Sequence, residues 1–329
     1  MSRVLVTGAS GFLGTNVVHA LLEQGYEVIA FSLPGSCTTW IEKKGVSIIE
    51  GDITVPDQVR RAMRDVDAVI HVAGDTSFWK RRFQRQREIN VEGTRNVMTA
   101  ALEAGARKVV HTSTVDALGF NPDGLASETW DEYKYAGWGY NYADTKLEGE
   151  AVVFEFVSRG LDVSVINPGS MIGPFDHTLQ FGRLFMDIKQ GNLPGILPGG
   201  APWAHVVEVA KAHVAAMEKG KPGERYICGG VNESYKNVFS TIAASVGVEP
   251  PSWVMPRRFV VFYGYLAELA SFFTRKPPAL NPGQARYMCA FPRYESSKAV
   301  RELGFRIVPV KDMVADAKAW YVENEFLEA

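Results

Sequence analysis

The chain has 329 residues, with 35 Lys and Arg against 37 Asp and Glu, a net charge of −2. Near-neutrality argues against a dedicated nucleic-acid binder, and the ordinary apolar content excludes collagen-like, fibrous and disordered classes. The length suggests two lobes or one large domain with an added part. Cys37, Cys228 and Cys289 lie too far apart for a CxxC pair or a disulfide framework.

The N-terminus enters an apolar strand at Arg3-Val4-Leu5-Val6 with no signal-peptide pattern, so a cytoplasmic location is expected. Short β-branched runs then alternate with helical stretches. Strands are predicted at 4–7, 27–31, 46–50, 68–72, 108–112 and 163–167, and helices at 12–24, 56–63, 83–104 and 141–158. Several strands are almost continuously apolar, as strands covered on both faces are. Thr54, ahead of Pro56 and Asp57, reads as a helix N-cap. This order predicts an α/β fold: a doubly wound parallel (Rossmann) sheet with its ligand at the carboxyl ends of the strands.

After Pro168 the pattern loosens, with Gly and Pro clustered at 191–202, 249–256 and 276–283. Helices are predicted at 206–219, 235–246, 258–274, 297–303 and 310–324. The expected organisation is a dinucleotide-binding domain over 1–168, with returning segments near 203–230. A smaller, loop-rich substrate lobe spans mainly 169–329. The apolar run 259–273 contains Glu268 and falls short of a membrane span. It can line an entrance for an apolar substrate or simply cap the lobe.

Thr7-Gly8-Ala9-Ser10-Gly11-Phe12-Leu13-Gly14 lies between the first strand and the first helix. The glycines permit a tight turn, close approach of a pyrophosphate and close helix–strand packing, while the helix N-terminus offers free N–H groups. Such glycines are common by chance; their place at the first strand-to-helix turn makes dinucleotide binding the reading. At the end of the second strand, where a ribose-binding acid is expected, stands Ser32. A missing carboxylate removes repulsion of a 2′-phosphate, so NADP(H) is preferred over NAD(H), although no Arg stands there either. Lys43 and Lys44 can reach in or be solvated helix residues. Asp52-Ile53 ends the third strand, where the carboxylate can accept from an adenine amino group or merely serve a surface turn. Val72-Ala73-Gly74 supplies small residues after the fourth strand.

The fifth strand ends Thr112-Ser113-Thr114, and Tyr142 and Lys146 follow one helical turn apart. A neighbouring ammonium is expected to lower the phenol's pKa, letting Tyr142 exchange the proton of a carbonyl/alcohol pair while Thr114 holds the oxygen. A second Tyr-x-x-x-Lys, Tyr294/Lys298, has no hydroxyl-bearing strand end before it and reads as structural. The six histidines show no metal spacing; His71 and His111 read as core residues, and no metal is expected.

Together, Gly8/Gly11/Gly14, Asp52-Ile53, His71-Val72-Ala73, Asn90-Val91-Glu92-Gly93-Thr94, Ser113-Thr114, Tyr142/Lys146 and Asn167-Pro168-Gly169…Gly173-Pro174 resemble the extended short-chain dehydrogenase/reductases over essentially the whole chain. Val165-Ile166-Asn167-Pro168 looks most like the dihydroflavonol, cinnamoyl-CoA and aldehyde reductase subgroup. The 3β-hydroxysteroid dehydrogenase/sterol decarboxylase relatives are similar too. The resemblance implies that Thr114 is the catalytic hydroxyl and that Lys146 also holds the nicotinamide ribose. It further implies that Pro168 and Gly169 border the cofactor and that the protein is a homodimer. By family position Trp79, Trp138, Met171, Phe175 and His205 border the substrate, with core packing as the alternative. Asp116 contacts substrate or ties down a loop.

Thr114-Val115-Asp116 departs from the Thr-Asp-Glu run of dehydratases, and Ala201 stands where nucleotide-sugar enzymes carry an Arg before the His-Val element. The reductases usually have an Arg after the second strand, absent here. The expected activity is an NADP(H)-preferring oxidoreductase for a ketone or aldehyde and its alcohol on a small or medium apolar molecule. A nucleotide-sugar epimerase with bound NAD and a non-catalytic cofactor-sensing protein are the alternatives. The basic run Lys80, Arg81, Arg82, Arg85 and Arg87 can attract an anionic substrate or be a solvated helix face.

Overall fold

The computed structural model describes residues 2–328. Its strands are β1 (Arg3–Thr7), β2 (Glu27–Ser32), β3 (Val46–Glu50), β4 (Ala68–His71), β5 (Lys108–Thr112), β6 (Val163–Pro168), β7 (Ser170–Ile172), β8 (Gly200–His205), β9 (Arg225–Cys228) and β10 (Val231–Ser234). The helices are α1 (Phe12–Glu23), α2 (Pro56–Ala62), α3 (Phe83–Arg87), α4 (Thr94–Ala104), α5 (Asn141–Ser158), α6 (Gly182–Lys189), α7 (Val206–Lys219), α8 (Tyr235–Ser245), α9 (Arg257–Thr274), α10 (Pro282–Met288), α11 (Ser297–Leu303) and α12 (Val310–Glu323).

Seven parallel strands form the main sheet in the order β3-β2-β1-β4-β5-β6-β9. The order reverses at β1, and the switch point β1/β4 places a crevice at the strands' carboxyl ends. One face packs α1 and α7 against the sheet; the other packs α2, α4 and α5. A smaller sheet, β10-β8-β7, forms the second lobe, with α6, α8 and α12 around a separate apolar cluster.

The lobes are not contiguous in sequence. β9 completes the main sheet, α7 lies on α1, and Ala299, Leu303 and Phe305 from α11 and its exit join the core of the nucleotide half. Residues 297–305 therefore pack with the first lobe, although they fall in the 169–329 segment.

Three local differences have physical causes. The predicted helix 83–104 is broken by a widened turn at Glu88–Gly93, which lets Asn90 turn inward. Its amide donates to Asp75 O and Thr145 Oγ1 and accepts from Asp75 N. The N-cap of α2 is Val55, not Thr54; the Thr54 hydroxyl donates instead to Asp52 Oδ1. Lys43 and Lys44 are exposed in the irregular link before β3 rather than in a helix. No helix among the described residues is long and apolar enough to cross a membrane.

Candidate active site

Gly8 has φ +66°, and a Cβ there would lie 2.8 Å from the Ala73 backbone; at Gly14 it would lie 2.0 Å from Gly8 O. Only glycine lets β1, α1 and the end of β4 approach this closely. Helix α1 begins at Gly11 with no side-chain cap and no acid in its first turn, so its positive end faces the crevice uncompensated.

This crevice is a cleft of about 330 Å³. It is lined by Gly8, Ser10, Gly11, Phe12, Leu13, Gly14, Ser32, Asp52, Ile53, Val72, Ala73, Gly74, Thr112, Ser113, Thr114, Tyr142, Lys146, Pro168, Gly169 and Met171. At one end Ser32 Oγ accepts from Ser10 N at 3.2 Å. Asp52 accepts from Thr54 N and Oγ1 on one oxygen and from Arg85 Nη2 at 2.8 Å on the other. These bonds hold its carboxyl low although burial pushes the other way. Ser113 Oγ is buried without a hydrogen-bond partner among the described residues.

At the other end lie the candidate catalytic groups Thr114, Tyr142 and Lys146. Thr114 caps the short turn Val115–Leu118, its hydroxyl accepting from Asp116 N. Its carbonyl accepts from Asn167 Nδ2, which also donates to Glu150; the fully buried Glu150 is ion-paired to Arg225 at 2.7 Å. β5, β6, β9 and α5 are thus tied together behind the Thr114 hydroxyl. Lys146 Nζ donates to Thr112 O at 2.7 Å, beside Gly74.

The expected ammonium effect on Tyr142 does not govern its ionisation. Burial raises the phenol's pKa, the Asp116 charge adds to it, and the Thr114 hydroxyl pulls it down. Lys146 is itself pushed down to about 8 by burial. Desolvation penalises both charged forms, so Tyr142 keeps its proton at neutral pH. His71 lies behind the site and burial lowers it to about 3. It bonds Thr7 and Thr94, which fits its reading as a core residue.

Met171 is the one substrate candidate in this cleft. Asp116 is buried behind it, receives Tyr140 OH at 2.8 Å, and is raised to about 6 by burial. Trp138 belongs to an aromatic wall with Phe78, Phe120, Tyr135, Tyr140, Tyr287 and Tyr142, and borders a second cavity. Trp79 precedes the turn Lys80–Arg82 outside the cleft. His205 is also outside: it caps α7 through Val207 N and bonds Asp316. Phe175 packs on His19 and Trp40. Tyr294 donates to Gly119 O and Lys298 pairs with Glu224, so that second pair is structural.

Sequence reasoning overlooked Arg85, Thr76, Ile89 and Gln180 as lining residues. Arg85 was visible only as one cation in a run, because its partner Asp52 lies 33 residues away. Among the described residues no cluster of His, Cys, Asp and Glu could hold a metal.

The glycine cradle, the open helix terminus and the unpartnered Ser113 hydroxyl fit a nicotinamide dinucleotide. Comparison with known proteins agrees. A profile of the "NAD dependent epimerase/dehydratase family" matches residues 4–229. "Sterol demethylase protein B" of Methylococcus capsulatus is 33% identical over 97% of this chain and 98% of its own. A "Putative dihydroflavonol 4-reductase" of Synechocystis is 27% identical over 98% and 95%. The crystal structure of gox2253 superposes with TM-score 0.87 at 31% identity, over 100% of both chains. That of a dTDP-glucose 4,6-dehydratase from Streptomyces venezuelae, with NAD bound, superposes with TM-score 0.79 at 23% identity over 98% of each; this last likeness speaks for the fold alone. Family profile, relatives and site together establish that the chain belongs to the NAD dependent epimerase/dehydratase family, within the extended short-chain dehydrogenase/reductases.

Proposed function

We propose that the protein is an NADP(H)-preferring reductase that converts a ketone or aldehyde on an apolar carbon frame to its alcohol, and runs the reverse reaction at high alcohol. The observation that carries this reading is the meeting of Thr114, Tyr142 and Lys146 at one end of the glycine-lined cleft. When bound, the dinucleotide would supply or accept hydride at its nicotinamide ring. The protein's own groups do the rest. The Thr114 hydroxyl holds the carbonyl oxygen, and Tyr142, kept protonated by its surroundings, donates a proton to that oxygen as negative charge develops. Lys146, its ammonium held by Thr112 O, would hold the ribose hydroxyls of the bound dinucleotide. The aromatic wall of Phe78, Tyr140 and Trp138 suits an apolar substrate. Relatives named for sterols, a dihydroflavonol and 3-oxoalkanoates support an oxygenated apolar substrate.

The preference for NADP(H) is supported by Ser32 at the tip of β2, where no carboxylate opposes a 2′-phosphate. A nucleotide-sugar substrate is less well served, because Ala201 in β8 is small, fully buried and uncharged. The test is a screen of apolar ketones and their alcohols with NADPH, NADP, NADH and NAD, followed by Tyr142→Phe on the responsive substrate. The substitution should lower kcat by about 10²–10⁴-fold while cofactor affinity is kept. Undiminished turnover in Y142F overturns the mechanism, and turnover without net cofactor consumption points to an epimerase instead.

A further inference from the structure

Helix α9 buries only a narrow stripe. Val260, Gly264 and Ser271 face inward, and Gly264 lets the helix approach Ala285 of α10 and its cap Asn281. The opposite face is apolar and open: Phe259, Phe262, Leu266, Leu269, Phe272 and Phe273 are 48–74% exposed. Single exposed apolar side chains are ordinary, but this many on one helix face mark an interaction surface.

Charge surrounds that face with one sign. Arg257 and Arg258 open the helix, and Arg275 and Lys276 follow it. Alongside runs the turn Lys80–Arg82, where Arg81 lies over the Phe272 ring at 5.1 Å. Glu268, the helix's single acid, is paired with Lys80 at 2.9 Å. A cavity of about 620 Å³ at the first turn brings Arg257, Arg258 and Arg286 together beside Trp138.

We infer that α9 is an interfacial helix that docks the protein on an anionic phospholipid surface. An apolar face rimmed by cations matches that surface in both layers: the rings enter the acyl boundary, and the guanidinium and ammonium groups meet phosphates. At 18 residues the helix lies flat over about 27 Å. A line of packed aromatic rings leads inward from the cavity at the first turn. Trp138 packs on Tyr135 at 5.4 Å, Tyr135 on Tyr140 at 5.5 Å, and Tyr140 on Tyr142 at 6.3 Å. Docking rests on the surface alone. That the docked enzyme draws an apolar substrate out of the bilayer rests on the reductase reading above.

The test is co-sedimentation of the full chain with phosphatidylcholine vesicles, with and without phosphatidylglycerol, across ionic strength. Binding should require the anionic lipid and weaken with salt, each basic residue contributing about fivefold near the surface. The doubly substituted Leu269→Glu/Phe273→Glu, both at exposed positions, should keep the thermal transition of the parent and lose at least about tenfold in binding. R257E/R258E should lose the preference for anionic lipid. Y142F should bind vesicles like the parent, so a failure of the redox mechanism leaves this result readable. Parent protein that stays in the supernatant with anionic vesicles at low salt overturns the inference, as does a double variant that sediments like the parent. A parent dimer that L269E/F273E converts to monomer, with neither binding vesicles, assigns the face to a second copy of the chain instead.

Discussion

Lys146 gives the sharpest test of the site, because its cost can be worked out. Burial lowers its pKa from 10.5 to about 8, with Glu150 offsetting part of the effect. At about 1.4 kcal/mol per unit, keeping this ammonium charged costs the folded, cofactor-free protein roughly 3 kcal/mol at neutral pH. The sign follows from proton counts. Between pH 8 and 10.5 the unfolded chain binds the proton that the folded chain has released, so stability rises with pH, and most of the cost is gone by pH 10. Lys146→Met removes the charge and keeps the length, but leaves Thr112 O without its 2.7 Å donor, a loss of about 1–3 kcal/mol. The buried thioether chain returns about 1 kcal/mol. At pH 7 the variant should therefore be more stable than the parent by roughly 1–3 kcal/mol, although catalytically crippled. Near pH 10 that advantage should shrink by about 2.5 kcal/mol, to parity or reversal, since only the parent gains. Guanidinium unfolding of both proteins at the two pH values measures this, and taking the difference cancels other titrating groups. A difference that does not change with pH would refute the claim that desolvation dominates at Lys146.

Other consequences concern cofactor choice, loop geometry and His205. Ser32→Asp should lower the NADPH-to-NADH ratio of kcat/KM by about tenfold or more, since a carboxylate would repel a 2′-phosphate; steady-state kinetics with both cofactors decides it. Gly14→Ala drives a Cβ to within 2.0 Å of Gly8 O, so the backbone must move. Calorimetry should show a loss of about 1–3 kcal/mol together with weakened dinucleotide binding. His205→Ala should cost about 0.5–2 kcal/mol through the lost α7 cap and leave kcat/KM unchanged; a raised KM with unaltered stability would return His205 to the substrate pocket.

The alternating apolar runs of the first half were enough to read the doubly wound sheet, because its parallel strands are covered on both faces and are apolar along their length. The glycine turn and Tyr142/Lys146 were legible for the same reason: their spacing acts within one turn or one helix, where covalent geometry alone sets distance. The short strands β7, β8, β9 and β10 were not. They are three to six residues long, β8 carries Gly200 and Pro202, and they owe their existence to partners far away, as Gly200 does in pairing with Ser234. Helix α6 likewise depends on Asp176, whose carboxylate receives Phe181 N, Gly182 N and the Tyr321 hydroxyl from the far end of the chain.

The identity and order of the candidate catalytic groups that line the cleft were thus written in the linear sequence, since a strand tip and a one-turn helical spacing survive any packing. Their ionisation was not. A neighbouring ammonium at fixed spacing suggests a lowered phenol, but the fold buries both groups, and removing water from a charge outweighs one neighbour. The pairing of Arg85 with Asp52, the retreat of His205 into an α7 cap and the unpartnered face of α9 came from the same source. Each depends on which surfaces the folded chain brings together or leaves bare, and solvent exclusion is a property of the whole packed molecule, not of neighbours along the chain.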